Sequence, residues 1–302
     1  MALIESDSNT LFAEFLEIPL PARGEQPRER GLTMVMDQGL PVEFLDGMLA
    51  GYGQYLDIAK LWDPCLRTPM REIERRVETY KSHGVRVQPG GILLEMARAL
   101  GKEHETLKRV RELGFDLIEI SSTTSTRDGE GSDSDRLLLE EALGLGFDVV
   151  GEVGRKFPDG DETRISDRVI DIEQTIAEFQ DLLANGAWKV YWEGHLLRRV
   201  LGDNPRRIKE QSATGLRQVK EVVAAVGLDN IIFEASGLRP RANRQWLQFW
   251  LVQLFGPDVN IGNARIEELA NLEAIRMGTH PIFGFGSGGN YSLMETLSKA
   301  KS

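Results

Sequence analysis

Cysteine is almost absent from this chain: Cys65 stands alone in 302 residues. No disulfide can form within the chain, and a reducing cytoplasm is the expected compartment. A lone cysteine with no histidine beside it in sequence reads as a packing residue rather than a nucleophile. Histidine is nearly as scarce, and His83, His104, His195 and His280 show neither His-x-x-x-His spacing nor a Cys/His alternation, which disfavours zinc. No run of about 18 apolar residues occurs, so no transmembrane helix is expected. The opening MALIESDSNT has neither the basic nor the apolar region of a secretory leader. Cations are in deficit too: 36 Lys and Arg face 47 Asp and Glu, a formal net charge of −11. Phosphate backbones are held mainly by Lys and Arg, so a nucleic-acid partner is not expected. A small anion remains compatible, because a local basic cluster can sit on an acidic surface.

What is present is a repeated unit. The phrases HGVRV, LGFDLIEI, LGFDVVGEV, NGAWKVYWEG and VGLDNIIFEA each read as a helix end, a glycine, then an apolar strand. Eight such strands are expected at 32–37, 55–61, 85–88, 116–121, 148–153, 188–193, 230–235 and 258–262. The intervening segments suit helices at 42–51, 70–82, 92–100 with 103–113, 134–144, 166–185, 205–226, 242–254 and 266–276. Helix-sized crossovers imply parallel neighbours. Eight consecutive units predict an α/β fold, a (β/α)8 TIM barrel, with a doubly wound open sheet as the rival. Residues 1–29 read as an N-terminal arm, 30–284 as the barrel and 285–302 as a Gly-rich tail. The polar run at 122–134, SSTTSTRDGEGSD, reads as a mobile loop or lid over the mouth.

Four strands end in glutamate, at Glu119, Glu152, Glu193 and Glu234, and another ends in Lys60. In a barrel these ends converge on one mouth, with Asp37, Glu95 and Ser121 as further candidates there. A cluster of like charges is costly unless a cation neutralises it, and Mg2+ suits carboxylate ligands. Lys60 reads as a proton donor or anion clamp, with a salt bridge to a glutamate as the alternative. Arg155 and Lys156 after one strand, and His195, Arg198 and Arg199 after the next, form two basic sets suited to an oxyanion or phosphate. Gly262 and Asn263 raise a phosphate turn after strand eight, where barrels often bind phosphate.

Together these stretches resemble the phosphosulfolactate synthase family of the coenzyme M biosynthesis type, which also has plant heat-stress-associated relatives. The resemblance runs through RGLTMVMDQGLP (30–41), YLDIAK (55–60), HGVRVQPGGILLE (83–95), LGFDLIEIS (113–121), EVGRK (152–156), WEG (192–194), IIFEA (231–235) and FGPDVNIGNARIEELANLEAIRMG (255–278). It implies a Mg2+-dependent addition of sulfite to phosphoenolpyruvate. In that reaction Glu119, Glu152 and Glu193 would hold the metal and Lys60 would donate a proton. Arg155, Lys156 and the Gly262–Asn263 turn would hold phosphate, and Arg198 or Arg199 sulfite. A homo-oligomer is expected. The chain departs from the family pattern at Gln38, Leu61–Cys65, His195 and Thr279–Pro281. Two alternatives stay open: a diverged member acting on another phosphorylated enol or 2-oxo acid, and a non-catalytic barrel with a binding or protective role.

Overall fold

The computed structural model describes residues 17–18, 20–61, 66–121, 131–154, 171–194, 197, 213–235 and 241–281, without the side chains of 121, 131–133, 213–214 and 241–243. Apolar runs punctuated by glycine form eight short strands: β1 Thr33–Asp37, β2 Ile58–Leu61, β3 Arg86–Pro89, β4 Leu117–Ser121, β5 Asp148–Val153, β6 Lys189–Trp192, β7 Ile231–Glu234 and β8 Ile261–Ala264. All ladders are parallel, in the order β3-β2-β1-β8-β7-β6-β5-β4. The two ends of that order close on each other. Asp116 N–H donates to Val87 O at 2.9 Å, and Val87 N–H donates to Asp116 Oδ2 at 3.1 Å. The result is a (β/α)8 barrel with a seam between β3 and β4.

Helices Val42–Tyr52, Met70–Ser82, Gly91–Ala99, Glu103–Glu112, Gly131–Gly144, Ile172–Ala184, Ala213–Val226, Arg241–Phe255 and Leu269–Arg276 follow the strands. The recurring glycine before a strand lets the chain turn out of its helix in the left-handed region, as at Gly114 (φ 88°) and Gly227 (φ 92°). Strand residues facing the helices, among them Val35, Ala59, Val87, Ile118, Val149, Val190, Trp192 and Phe233, form the main core. Trp192 stacks on Phe233, Phe233 on Phe255, and Phe179 meets Trp192 edge-on. Such aromatic pairs each add about 0.5–1.5 kcal/mol beyond their buried area.

The barrel interior is filled separately by Leu32, Met34, Ile58, Leu117, Val150, Tyr191 and Ile232. Side chains alternate along a strand, so the next interior position lies two residues further on. Those positions are Lys60, Glu119, Glu152, Glu193 and Glu234. An apolar plug below and a polar ring above follow directly from the period of two.

Below the plug, residues 20–30 pack on the N-terminal face. Arg28 pairs with Asp57 at 2.9 Å, and Arg23 Nε donates to Glu273 Oε1 at 3.0 Å. Several elements differ from the sequence expectation; strand two, expected from 55, begins at Ile58 because Gly53–Tyr55 forms a 3-10 turn. Strand eight begins at Ile261 rather than at 258, because Asn260 uses its side chain to join strands. Its Oδ1 accepts from Leu32 N–H at 2.9 Å and its Nδ2 donates to Ile231 O at 3.0 Å. The helix expected from 134 already begins at Gly131, so it takes in the end of the expected 122–134 loop, while 122–130 lie outside the described residues. Among the described residues no helix is long and apolar enough to cross a membrane.

Candidate active site at the barrel mouth

Lys60 stands at the centre of the polar ring and is 5% exposed. Its Nζ lies 2.5 Å from Glu119 Oε2 and 3.1 Å from Glu234 Oε1. The same ammonium sits 4.6 Å above the centroid of the Tyr191 ring. Burial by itself draws the Lys60 pKa down, but Glu119, Glu234 and their neighbours raise it well above the ordinary lysine range. This surrounding favours the ammonium form of Lys60, a protonation state that the sequence left open.

Glu119, Glu152, Glu193 and Glu234 are each 2% exposed. One oxygen each from Glu152, Glu193 and Glu234 can be chosen so that all three lie within 4.8 Å of one another. Three hard oxygen donors at that spacing can bind a metal ion. Four carboxylates against one ammonium leave these five groups with a net negative charge, which also favours a cation. Glu119 is placed differently from the metal role expected of it. It faces Lys60 and accepts from Gln88 Nε2 at 3.2 Å, and it presses on the start of helix Gly91–Ala99. Glu234, expected only as a further candidate, takes its place in the acidic group.

Asp37 ends β1 but does not join the ring. Met34 faces the interior, so Asp37, an odd step away, turns outward. There Arg76 Nη1 and Tyr80 OH of helix Met70–Ser82 donate to its Oδ2 at 2.8 and 3.1 Å, and Gly39 N–H donates to Oδ1 at 2.8 Å. Glu95 lies within helix Gly91–Ala99, half-buried, rather than at a strand end. Ser121 ends β4, and its side chain lies outside the described residues, as do Arg155, Lys156, His195, Arg198 and Arg199.

Gly262 and Asn263 lie within β8 rather than in a turn after it, and Glu234 pairs in register with Gly262. A Cβ on Gly262 would meet Met34 Cε at 3.0 Å and Ile232 Cγ2 at 3.1 Å, so a side chain there fits only if both methyl groups give way. Asn263 adopts φ 55°, a left-handed conformation uncommon outside glycine, and is 6% exposed. Its Oδ1 is buried without a hydrogen-bond partner among the described residues. Strain of this kind, of order 1–3 kcal/mol per residue, concentrates at functional sites.

Sequence reasoning missed Gln88 and Tyr191. Both face the interior, both are 0% exposed, and Tyr191 OH donates to Gln88 Oε1 at 2.8 Å. Their polar ends were visible only as ordinary residues inside apolar runs. The period-two step from Ile58 to Lys60 and on to its laddered partner Gln88 was the available signal.

Comparison with known proteins adds the following. A family model described as (2R)-phospho-3-sulfolactate synthase (ComA) matches residues 21–281. The chain is 31% identical over 253 residues to the phosphosulfolactate synthase of Methanocaldococcus jannaschii, covering 83% of this chain and 92% of that protein. It is 31% identical over 259 residues to the phosphosulfolactate synthase of Methanothermobacter thermautotrophicus, covering 85% and 93%. Among solved structures it is similar to 3-keto-L-gulonate-6-phosphate decarboxylase from Vibrio cholerae. There the TM-score is 0.50 at 9% identity, with 84% of this chain and 99% of that chain covered, a likeness of fold alone.

Proposed function

From the premise that this chain belongs to the (2R)-phospho-3-sulfolactate synthase family, we propose that it catalyses the Mg2+-dependent addition of sulfite to phosphoenolpyruvate. The observation that carries the reading is one buried ammonium beside a buried acidic group at the mouth of a barrel.

The sulfite sulfur attacks the methylene carbon of phosphoenolpyruvate, and a C–S bond forms. The electron pair of the enol double bond moves to the adjacent carbon and its carboxylate. A proton from Lys60 Nζ then completes 2-phospho-3-sulfolactate, and solvent returns the proton to Lys60. Lys60 suits the role because its ammonium form is maintained by Glu119 and Glu234, so the proton is in place before substrate arrives. Mg2+, held by Glu152, Glu193 and Glu234, would supply Lewis-acid stabilisation of the charge that develops on the substrate carboxylate. In this reading Arg155, Lys156 and the Gly262–Asn263 segment of β8 hold the phosphate, Arg198 or Arg199 meets sulfite, and His195 is a further substrate-binding candidate.

The direct test is an assay of purified protein for loss of the phosphoenolpyruvate ultraviolet absorbance. Consumption that requires both sulfite and Mg2+ supports the reading. No consumption with both present removes it.

A further inference from the structure

Two residues that the proposed chemistry does not use complete a closed circuit with two that it does. Lys60 Nζ pairs with Glu119 Oε2, and Gln88 Nε2 donates to that same oxygen at 3.2 Å. Gln88 Oε1 accepts from Tyr191 OH at 2.8 Å, and the Tyr191 ring lies under the Lys60 ammonium. The circuit crosses four strands, β2, β4, β3 and β6, and every member is at most 5% exposed.

The chemistry of the links fixes their direction. The Tyr191 hydroxyl donates to the Gln88 carboxamide oxygen. A hydroxyl that donates to the carboxamide oxygen leaves the carboxamide N–H2 group facing Glu119, where it can only donate. Glu119 is then held from two directions, by Lys60 and by Gln88, in the space that Gly91 leaves open by having no side chain. The ring face beneath Lys60 adds a cation–π contact, stronger in a desolvated site than at the surface. A strut needed only to close the seam between β3 and β4 would not also need to contact the ammonium.

We propose that Gln88 and Tyr191 are positioning residues for the Lys60–Glu119 pair: they reserve Glu119 for Lys60, apart from the acidic group Glu152, Glu193 and Glu234. The inference rests on the reading of Lys60 as the proton donor.

The test uses full-length protein labelled with 13C-lysine, with the Lys60 ε-methylene resonance identified by its loss in Lys60→Arg. In the wild type the Tyr191 ring current is expected to displace this resonance upfield. In Gln88→Met it is expected to move toward the ordinary lysine position, and in Tyr191→Leu the displacement is expected to vanish. Supporting partners of a reactive group typically contribute about 10–100-fold to activity, so Gln88→Met and Tyr191→Phe should each lower kcat in that range with KM for phosphoenolpyruvate within about threefold.

The double variant Gln88→Met/Tyr191→Phe leaves no polar atom of the strut unpaired. It should regain most of the thermal stability lost by Gln88→Met alone, without regaining turnover. Three results would each overturn the proposal: a Lys60 resonance unmoved in Gln88→Met, a rise in KM alone, or turnover that returns with stability in the double variant. If wild-type protein shows no sulfite-dependent turnover, the functional reading fails, and the resonance still decides whether the strut positions Lys60.

Discussion

Glu119 occupies the volume that a side chain on Gly91 would need. A Cβ on Gly91 would lie 2.9 Å from Glu119 Cδ and 3.4 Å from its Cγ. The glycine that begins helix Gly91–Ala99 thus leaves the space in which the carboxylate beside Lys60 lies. The backbone there is helical, so alanine meets no conformational barrier, and the nearest conflict is with Glu119. Gly91→Ala should cost about 1–3 kcal/mol by overpacking, less up to about 1 kcal/mol of helix propensity returned by alanine. Displacing a catalytic pair by about 1 Å costs on the order of 100-fold in turnover. Denaturant unfolding and kcat measured together check this, and full activity in the variant would mean that Glu119 is not held at this point.

Lys60 neutralises two buried carboxylates as well as carrying the proton in the proposed reaction. Removing one partner of a buried ion pair costs about 3–5 kcal/mol. Lys60→Ala should therefore lose both turnover and stability. Lys60→Arg retains the charge and should recover part of the stability. It should not recover turnover, because guanidinium stays protonated at any working pH. Equal activity in Lys60→Arg would remove Lys60 from the chemistry.

The acidic group and Glu119 should separate in a metal-binding experiment. Mn2+ titrated into the protein and followed by its paramagnetic resonance reports affinity without any need for turnover. Glu152→Gln, Glu193→Gln and Glu234→Gln should each weaken binding by at least about tenfold, while Glu119→Gln stays within about threefold of wild type. A Glu119→Gln loss as large as the others would return Glu119 to the metal, as its position at a strand end first suggested.

Asp37 gives a contrasting case. It is held by Arg76 and Tyr80 on the outer side of β1, so Asp37→Asn should act on stability. Disturbing these buried partners should cost about 1–3 kcal/mol. Thermal unfolding should show the loss while Mn2+ affinity remains that of wild type. Lost Mn2+ affinity at unchanged stability would place Asp37 in the mouth after all.

Much of this was legible before any coordinates. The echo of helix end, glycine and strand is a local signal, and it marked all eight strands to within a few residues. The glutamates at strand ends were legible because parallel strands bring their C-terminal ends together. What could not be read was the facing of single residues. Asp37 and Lys60 both end apolar runs, yet they face opposite ways, since an odd or even step from the last interior residue decides it. The pairing of Lys60 with Glu119 rather than Glu152 depends on stagger between strands that lie far apart in sequence. Gln88 and Tyr191 looked like ordinary strand residues because the partners that make them polar come from β4 and β3, each more than thirty residues away in sequence.

The most direct measurement is phosphorus NMR of wild-type protein with phosphoenolpyruvate, run beside Lys60→Ala. With sulfite and Mg2+ together, the enol-phosphate resonance should be replaced by that of a secondary alkyl phosphate ester. It should persist when either sulfite or Mg2+ is omitted, and in Lys60→Ala. A wild-type spectrum that keeps the enol phosphate with both present, or a Lys60→Ala sample that converts it at the wild-type rate, would contradict the proposed reaction.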